Sequence, residues 1–146
     1  MPIITQYPKR ATMWPHDDTV TVGNVLVGAA PAGTAAAYFG YWTTGTAAIN
    51  DERTNSFYVA AGTYTITIRY IKAGSAGIAT CYVDGVSIGT ADMYAAATAE
   101  GATLFTGIVI ATDGNHQFKI KATSKHASSS GYKMFMEVYS VKQASD

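Results

Sequence analysis

From Thr63 to Tyr70 the chain alternates strictly between polar residues and large apolar residues. The large residues of this stretch are Tyr64, Ile66, Ile68 and Tyr70. Because successive side chains of an extended strand point to opposite faces, all four fall on one face. The stretch therefore predicts a long β-strand with one buried face and one polar face.

The choice of aliphatic residues extends this prediction to the whole chain. The 146 residues include 11 Ile and 10 Val but only two Leu, and 12% are aromatic. β-branched and aromatic side chains fit a pleated sheet, whereas Leu favours helices. Eight or nine alternating segments with short turns between them predict an all-β fold, a two-sheet antiparallel β-sandwich of jelly-roll type.

Several boundaries follow from turn chemistry. Asp84-Gly85 predicts a type I′ hairpin turn. Residues 43–55 are polar and predicted as turns, residues 92–102 as a loop with a possible helical turn, and residues 132–142 as the last strand. The side chains predicted to be buried are Tyr64, Ile66, Ile68, Ile78, Val83, Phe118, Ile120 and Val138.

The first 18 residues form a separate segment in this interpretation. They hold three of the four prolines, which favour extended chain, yet they are too apolar for a solvated tail. We therefore expect an extended N-terminal arm over residues 1–18 that packs on its own sandwich, residues 19–146, or on a neighbouring subunit. The arm residues predicted to make this attachment are Ile3, Ile4, Tyr7, Lys9, Arg10 and Trp14.

Charge excludes some partners. Lys and Arg total 10, Asp and Glu total 10, and charged residues make up only 14% of the chain. A nucleic-acid groove needs clustered excess cations, so we expect no nucleic-acid partner. No apolar run approaches the ~18 residues of a membrane span, so we expect no membrane partner. Low charge suits a surface covered by neighbouring subunits.

No catalytic residue, cofactor or metal is predicted. The histidines His16, His116 and His126 lie in no recognisable catalytic motif, and His116 is interpreted as a polar cap after a turn. Cys81 is expected to be a buried thiol. The aspartates of the glycine-flanked turns are interpreted as turn residues, because a Ca²⁺ site needs six to eight oxygens that no single run supplies.

Aromatic residues give the candidate ligand site. Sugars bind to aromatic faces with a few polar groups beside them, and Tyr offers both an apolar body and a polar tip. The glycan-binding candidates are Tyr41, Trp42, Tyr94, His126 and Tyr132. The competing interpretation is that Trp42 and alternate tyrosines fill the core.

An ordered series of motifs spans residues 57–142. They read Gly62-Thr63-Tyr64-Thr65, Tyr82-Val83-Asp84-Gly85, Gly89-Thr90-Ala91-Asp92-Met93-Tyr94, Asp113-Gly114-Asn115-His116 and Lys125-His126-Ala127-Ser128-Ser129-Ser130-Gly131-Tyr132. The series resembles the carbohydrate-binding-module-like β-sandwich of bacteriophage virion proteins.

The resemblance implies a non-enzymatic virion protein. The expected form is a capsid decoration or head-fibre protein that is made in the host cytoplasm, forms a homotrimer and binds the major capsid protein at the virion surface. The alternative is a tail-associated receptor-binding or carbohydrate-binding module that recognises surface glycans.

Overall fold

The computed structural model describes the backbone of residues 7–14, 20–22, 25–28, 41–44 and 48–145, and the side chains of residues 7–14 and 48–145. The predictions for Ile3, Ile4 and His16 lie outside the described residues. The strands are β1 (Arg10–Met13), β2 (Val20–Val22), β3 (Val25–Gly28), β4 (Tyr41–Thr44), β5 (Glu52–Val59), β6 (Gly62–Lys72), β7 (Ile78–Val83), β8 (Val86–Asp92), β9 (Ala99–Ile110), β10 (Gly114–Ser124) and β11 (Phe135–Gln143).

These strands form two antiparallel sheets packed face to face. The first sheet has the order β1-β11-β6-β9, the second has the order β2-β5-β10-β7-β8, and β3 pairs with β4 as a separate hairpin. The predicted all-β sandwich of jelly-roll type is confirmed. None of the described residues forms a helix long and apolar enough to span a membrane.

The core lies between the two sheets. Phe118 of β10 and Tyr139 of β11 meet across it, with ring centroids 4.8 Å apart. Six of the predicted core residues are buried, namely Tyr64, Ile66, Ile68, Val83, Phe118 and Ile120. The predictions for Ile78 and Val138 were wrong, since both side chains are only half-buried.

A β-bulge in β11 explains the error at Val138. Met136 pairs with Tyr70 and Val138 pairs with Arg69, so Glu137 is an extra residue without a partner of its own. An extra residue shifts the alternation of inward and outward side chains by one position. After the bulge, Tyr139 and Val141 therefore face the core in place of Val138.

The hairpin between β7 and β8 turns as the sequence predicts. Asp84 and Gly85 have φ angles of 49° and 81°. Two consecutive positive φ values define the type I′ turn, whose twist matches that of the flanking strands.

Two predicted boundaries were wrong. Strand β5 begins at Glu52, inside the stretch predicted as turns, because β10 pairs with it from Glu52 to Val59 and β2 pairs with its first three residues. Arg53, Thr54 and Asn55 of this strand are buried. Residues 93–98 contain no helical turn, and β9 already begins at Ala99.

Part of the predicted arm belongs to the sandwich. Strand β1 pairs antiparallel with β11 from Arg10 to Met13, and Met13 is buried in the core. Tyr7, Lys9 and Arg10 are exposed, while Trp14 is half-buried. This stretch is extended, and it packs on its own chain.

Candidate functional site

Three loops meet at one end of the sandwich. They are residues 73–77 between β6 and β7, residues 93–98 between β8 and β9, and residues 125–134 between β10 and β11. Backbone hydrogen bonds join them, because the Ala73 amide donates to the Met93 carbonyl at 3.1 Å and the Gly77 amide donates to the Lys133 carbonyl at 2.9 Å. We call these three segments the loop end.

A buried serine fixes the third loop to the first. The Ser129 hydroxyl lies 2.7 Å from the Ala76 carbonyl oxygen, with which it hydrogen-bonds. The Gly131 amide donates in turn to the Ser129 hydroxyl oxygen at 3.3 Å. A Cβ at Gly77 would lie 3.0 Å from the Cα of Tyr132, so the two loops touch through their backbones. The loop end is therefore held by backbone contacts and by the Ser129 hydroxyl, and these contacts fix the backbone that carries its exposed side chains.

Two of the five predicted sugar-binding residues stack on each other at this end. The rings of Tyr94 and His126 have centroids 4.4 Å apart and an interplanar angle of 3°. His126 is exposed and Tyr94 is half-buried, so the imidazole is the more solvent-accessible residue of the pair. Parallel rings at this distance form a flat apolar platform. We call this pair the Tyr94–His126 stack.

Hydrogen bonds hold the His126 ring and the Tyr94 backbone in place. The Ser128 amide donates to Nδ1 of His126 at 3.1 Å, so the neutral ring carries its proton on Nε2. The Tyr94 amide donates to Oδ1 of Asp92 at 3.0 Å. The platform thus presents an N–H donor at the His126 ring edge and a carboxylate beside Tyr94, the kinds of group that bind sugar hydroxyls.

The other predicted residues have different surroundings. Tyr132 is half-buried against the core, and the Nζ of Lys125 lies 5.4 Å from its ring centroid. Tyr41 and Trp42 are in β4, opposite Gly28 and Val27 of β3, and their side chains lie outside the described residues. The role assigned to these three aromatic residues stays a prediction.

The opposite end of the sandwich holds a polar pair that the sequence interpretation missed. Nδ1 of His116 lies 2.6 Å from Oδ2 of Asp84, and Nε2 lies 2.7 Å from the Thr112 carbonyl oxygen. His116 is only 5% exposed. Burial opposes charging of the ring, but the hydrogen bonds to Asp84 and Thr112 outweigh it and raise the pKa of His116. With both nitrogens engaged, His116 is a structural clasp and has no nitrogen free to act as a base.

A second missed feature is the bulged Glu137. Its side chain is only 9% exposed and faces a pocket of about 240 Å³ together with Arg69 and Glu100. Burial and the nearby Glu100 carboxylate raise the pKa of Glu137, against the opposing effect of Arg69. The Oε1 atom of Glu137 has no hydrogen-bond partner. The sequence carried no signal of the bulge that buries this carboxylate.

The turn aspartates act on backbone amides, as expected from their glycine-flanked positions. Asp84 Oδ1 accepts from the Gln117 amide at 2.8 Å, and Asp113 Oδ1 accepts from the Ala61 amide at 2.7 Å. Within the described residues, no three His, Cys, Asp or Glu side chains come together as metal ligands.

Comparison with solved structures shows that the fold is similar to that of carbohydrate-binding modules. No protein-family model and no curated protein sequence matches the chain. A Paenibacillus xanthan lyase structure has a TM-score of 0.71 and 23% identity over 98% of this chain, which spans only 14% of the lyase. The CBM36-1 domain of a multidomain xylanase, from the hindgut metagenome of Trinervitermes trinervoides, has a TM-score of 0.64 and 18% identity over 92% of this chain and 98% of the domain.

A third similar structure is a carbohydrate-binding module CBM36 in complex with calcium and xylotriose. Its TM-score is 0.56, with 20% identity over 84% of this chain and 98% of the module. These identities are below 25%, so the comparisons show the fold, a carbohydrate-binding-module-like jelly roll. They contain nothing on bacteriophage virion proteins, which the sequence resemblance had implied.

Proposed function

We propose that the protein is a non-enzymatic carbohydrate-binding module that holds a glycan at the loop end. The observation that carries this proposal is the Tyr94–His126 stack, an exposed and flat aromatic platform on loops fixed by backbone hydrogen bonds. A sugar ring laid on the outer imidazole face would meet the Nε2–H donor at its edge. The similarity of the whole sandwich to carbohydrate-binding modules supports this alternative better than the capsid protein expected first.

The similar structures name two ligand classes to test first. One holds xylotriose with calcium, and another belongs to a xanthan lyase. Asp92 lies two residues before Tyr94, and its Oδ1 already accepts from the Tyr94 amide. Ca²⁺ needs six to eight oxygens, and no three His, Cys, Asp or Glu side chains of the described residues come together. We therefore propose sugar contacts that are independent of the metal.

Calorimetric titration with xylotriose and xanthan oligosaccharides, with and without calcium, tests the proposal, and a glycan array widens the ligand search. We expect Tyr94→Ala and His126→Ala each to weaken binding of the best ligand at least tenfold, a loss of about 1.4 kcal/mol. Tyr58→Ala is the matched control, because Tyr58 is an equally large, 58% exposed aromatic residue on β5. No binding on the array, or unchanged affinity in both stack variants, would overturn the proposal.

Attachment to a virion is proposed from the sequence resemblance and the low charge. In this reading the module would be displayed on a bacteriophage particle, with the exposed Tyr7, Lys9 and Arg10 available to the major capsid protein. Co-sedimentation of the purified protein with empty capsids and with tails tests it. Failure to pellet with either particle would remove this proposal and leave the glycan site untouched.

A further inference from the structure

A pocket with three charged side chains lies on the outer face of the first sheet. Its volume is about 240 Å³, and it is lined by Arg69, Glu100, Gly101, Ala102 and Glu137. The sheet order β11-β6-β9 places the strand of Arg69 between the strands of the two glutamates. Since neighbouring strands lie about 4.8 Å apart, the two carboxylates come from strands about 10 Å apart, and the arginine comes from the strand between them.

The three charged side chains have no partner among the described residues. None of them makes a hydrogen bond or an ion pair there. Glu137 is only 9% exposed, and its Oε1 atom has no hydrogen-bond partner. A buried carboxylate without a partner is costly, because it gives up hydration and gains no hydrogen bond in exchange. A ligand that donates to Glu137 would supply the missing interaction.

The charges around the pocket define the ligand that matches it. Two carboxylates and one guanidinium line the space. The guanidinium of Arg69 presents N–H donors in a planar fork that fits a carboxylate. Burial and the nearby Glu100 carboxylate disfavour the ionised form of Glu137, and an ammonium group beside the two carboxylates would offset their repulsion. The pocket therefore matches a ligand with two cationic groups and one carboxylate.

We infer that this pocket binds a basic amino acid, with Arg69 holding the carboxylate and Glu100 and Glu137 each holding one ammonium group. Free lysine has these three groups on one short molecule, because its α-carbon carries a carboxylate and an ammonium group and its four-carbon stem ends in a second ammonium group. The stem allows the two ammonium groups to contact carboxylates from different strands. The inference is independent of the proposed glycan site, because the pocket contains none of the loop-end residues.

Other small ligands match the pocket less well. A Ca²⁺ ion needs six to eight oxygens, and only two of the lining residues are acidic. A diamine would leave Arg69 without a counter-charge, and an amino acid with an uncharged side chain would leave one of the glutamates without one. A neutral sugar would leave all three charges without counter-charges. The basic amino acid is the ligand whose charges balance those of the pocket one for one.

Calorimetric titration of the full chain with lysine tests the inference. We expect saturable binding of lysine. Norleucine, which lacks the side-chain ammonium group, and cadaverine, which lacks the carboxylate, should each bind roughly tenfold more weakly. Equal binding of norleucine would overturn the role of the second glutamate, and equal binding of cadaverine would overturn the role of Arg69. No binding of lysine would overturn the site, and it would leave the glycan proposal untouched.

Substitution of the charged residues locates the bound lysine. Arg69→Gln, Glu100→Gln and Glu137→Gln should each weaken lysine binding roughly tenfold. Glu137→Gln keeps the shape of the side chain and removes a buried charge, so this variant is expected to fold. Glu52→Gln is the matched control, because the Glu52 carboxylate lies near two lysine side chains of the second sheet. Unchanged lysine affinity in the three pocket variants, or an equal loss in the control, would overturn the inference.

Discussion

The carboxylate of Asp84 and the imidazole of His116 are held 2.6 Å apart and join the β7–β8 turn to the start of β10. The Thr112 carbonyl occupies the other ring nitrogen. A carboxylate and a carbonyl are both acceptors, so both ring nitrogens must donate and the ring is cationic when Asp84 is ionised. This arrangement ties the stability of one end of the sandwich to pH.

The first prediction concerns that dependence. Because the folded-state pKa of His116 is raised above 6.5, its stabilising effect is fully present below about pH 6.5 and is lost as the pH rises through the folded pKa. As the pH rises from about 6.5 through the folded-state pKa of His116, we expect the wild type to lose stability relative to His116→Gln. Thermal unfolding across pH 6 to 9 measures it. Parallel curves for the two proteins would contradict the clasp.

Asp84→Asn isolates the carboxylate in the same clasp. The variant should lower the pKa of His116, followed by NMR, and cost about 1 kcal/mol, a charge-assisted hydrogen bond reduced by the exposure of Asp84. Asp92→Asn is the control, since Asp92 caps an amide at the other end. An unchanged His116 titration in Asp84→Asn would show that the pair does not form in solution.

Another prediction concerns Glu137. The pKa of Glu137 is raised from 4.5 in the folded state, so the folded protein is favoured while the carboxyl is protonated. The free energy of unfolding therefore falls as the pH rises and Glu137 ionises. Glu137→Gln should therefore raise the free energy of unfolding by about 1 kcal/mol at pH 8 and change little at pH 4. Chemical denaturation at both values measures it.

Glu52→Gln is the control for Glu137→Gln, because the Glu52 carboxylate has two lysine side chains close to it. Glu52 Oε2 lies 3.8 Å from the Nζ of Lys119 and 3.9 Å from that of Lys121. Removal of the Glu52 charge should leave the free energy of unfolding unchanged or lower it slightly at pH 8. A destabilised Glu137→Gln would mean that the carboxylate has a stabilising partner.

The next prediction tests which face of β6 is buried in the core. Ile68 is fully buried, so Ile68→Ala should lower the free energy of unfolding by roughly 2–5 kcal/mol through lost burial and a residual cavity. Thr63→Ala on the exposed face of the same strand should change it by less than about 0.5 kcal/mol. Urea denaturation compares them, and similar losses in both variants would refute the assigned faces.

The arm prediction tests a deletion of residues 1–16. The sequence left open whether the arm packs on its own sandwich or on a neighbouring subunit. Strand β1 pairs with β11 and buries Met13, so the deletion removes an edge strand and opens a cavity. We expect a lower melting temperature, while Lys9→Ala keeps it. An unchanged transition in the deletion would show that the sandwich folds independently of the arm.

Local patterns account for most of what the sequence predicted correctly. The alternation in β6 and the Asp84-Gly85 turn are short-range signals, because they depend on neighbouring residues only. The bulge at Glu137 has no such signal, since it arises from how β11 and β6 align. It moved Val138 from the predicted core to the half-buried face.

The same contrast holds for the candidate site, where the sequence predicted single residues but not the contacts between them. Aromatic residues in loops were recognised one by one, and Tyr94 and His126 were both among them. Their stacking joins residues 32 positions apart, and it depends on how the loops meet. His116 was interpreted as a simple cap because its partner, Asp84, comes from a different hairpin.

The reactivity of the Cys81 thiol reports on the opening of the second sheet. It sits in the middle of β7, flanked by Gly89 of β8 and Ile120 of β10, and burial raises the pKa of its thiol to about 12. While the strands stay together, neither the thiolate nor a path to it exists. Each reaction of a thiol reagent with unmodified protein therefore records one transient separation of the second sheet. The rate of labelling then reports how often that sheet opens, without a single engineered residue.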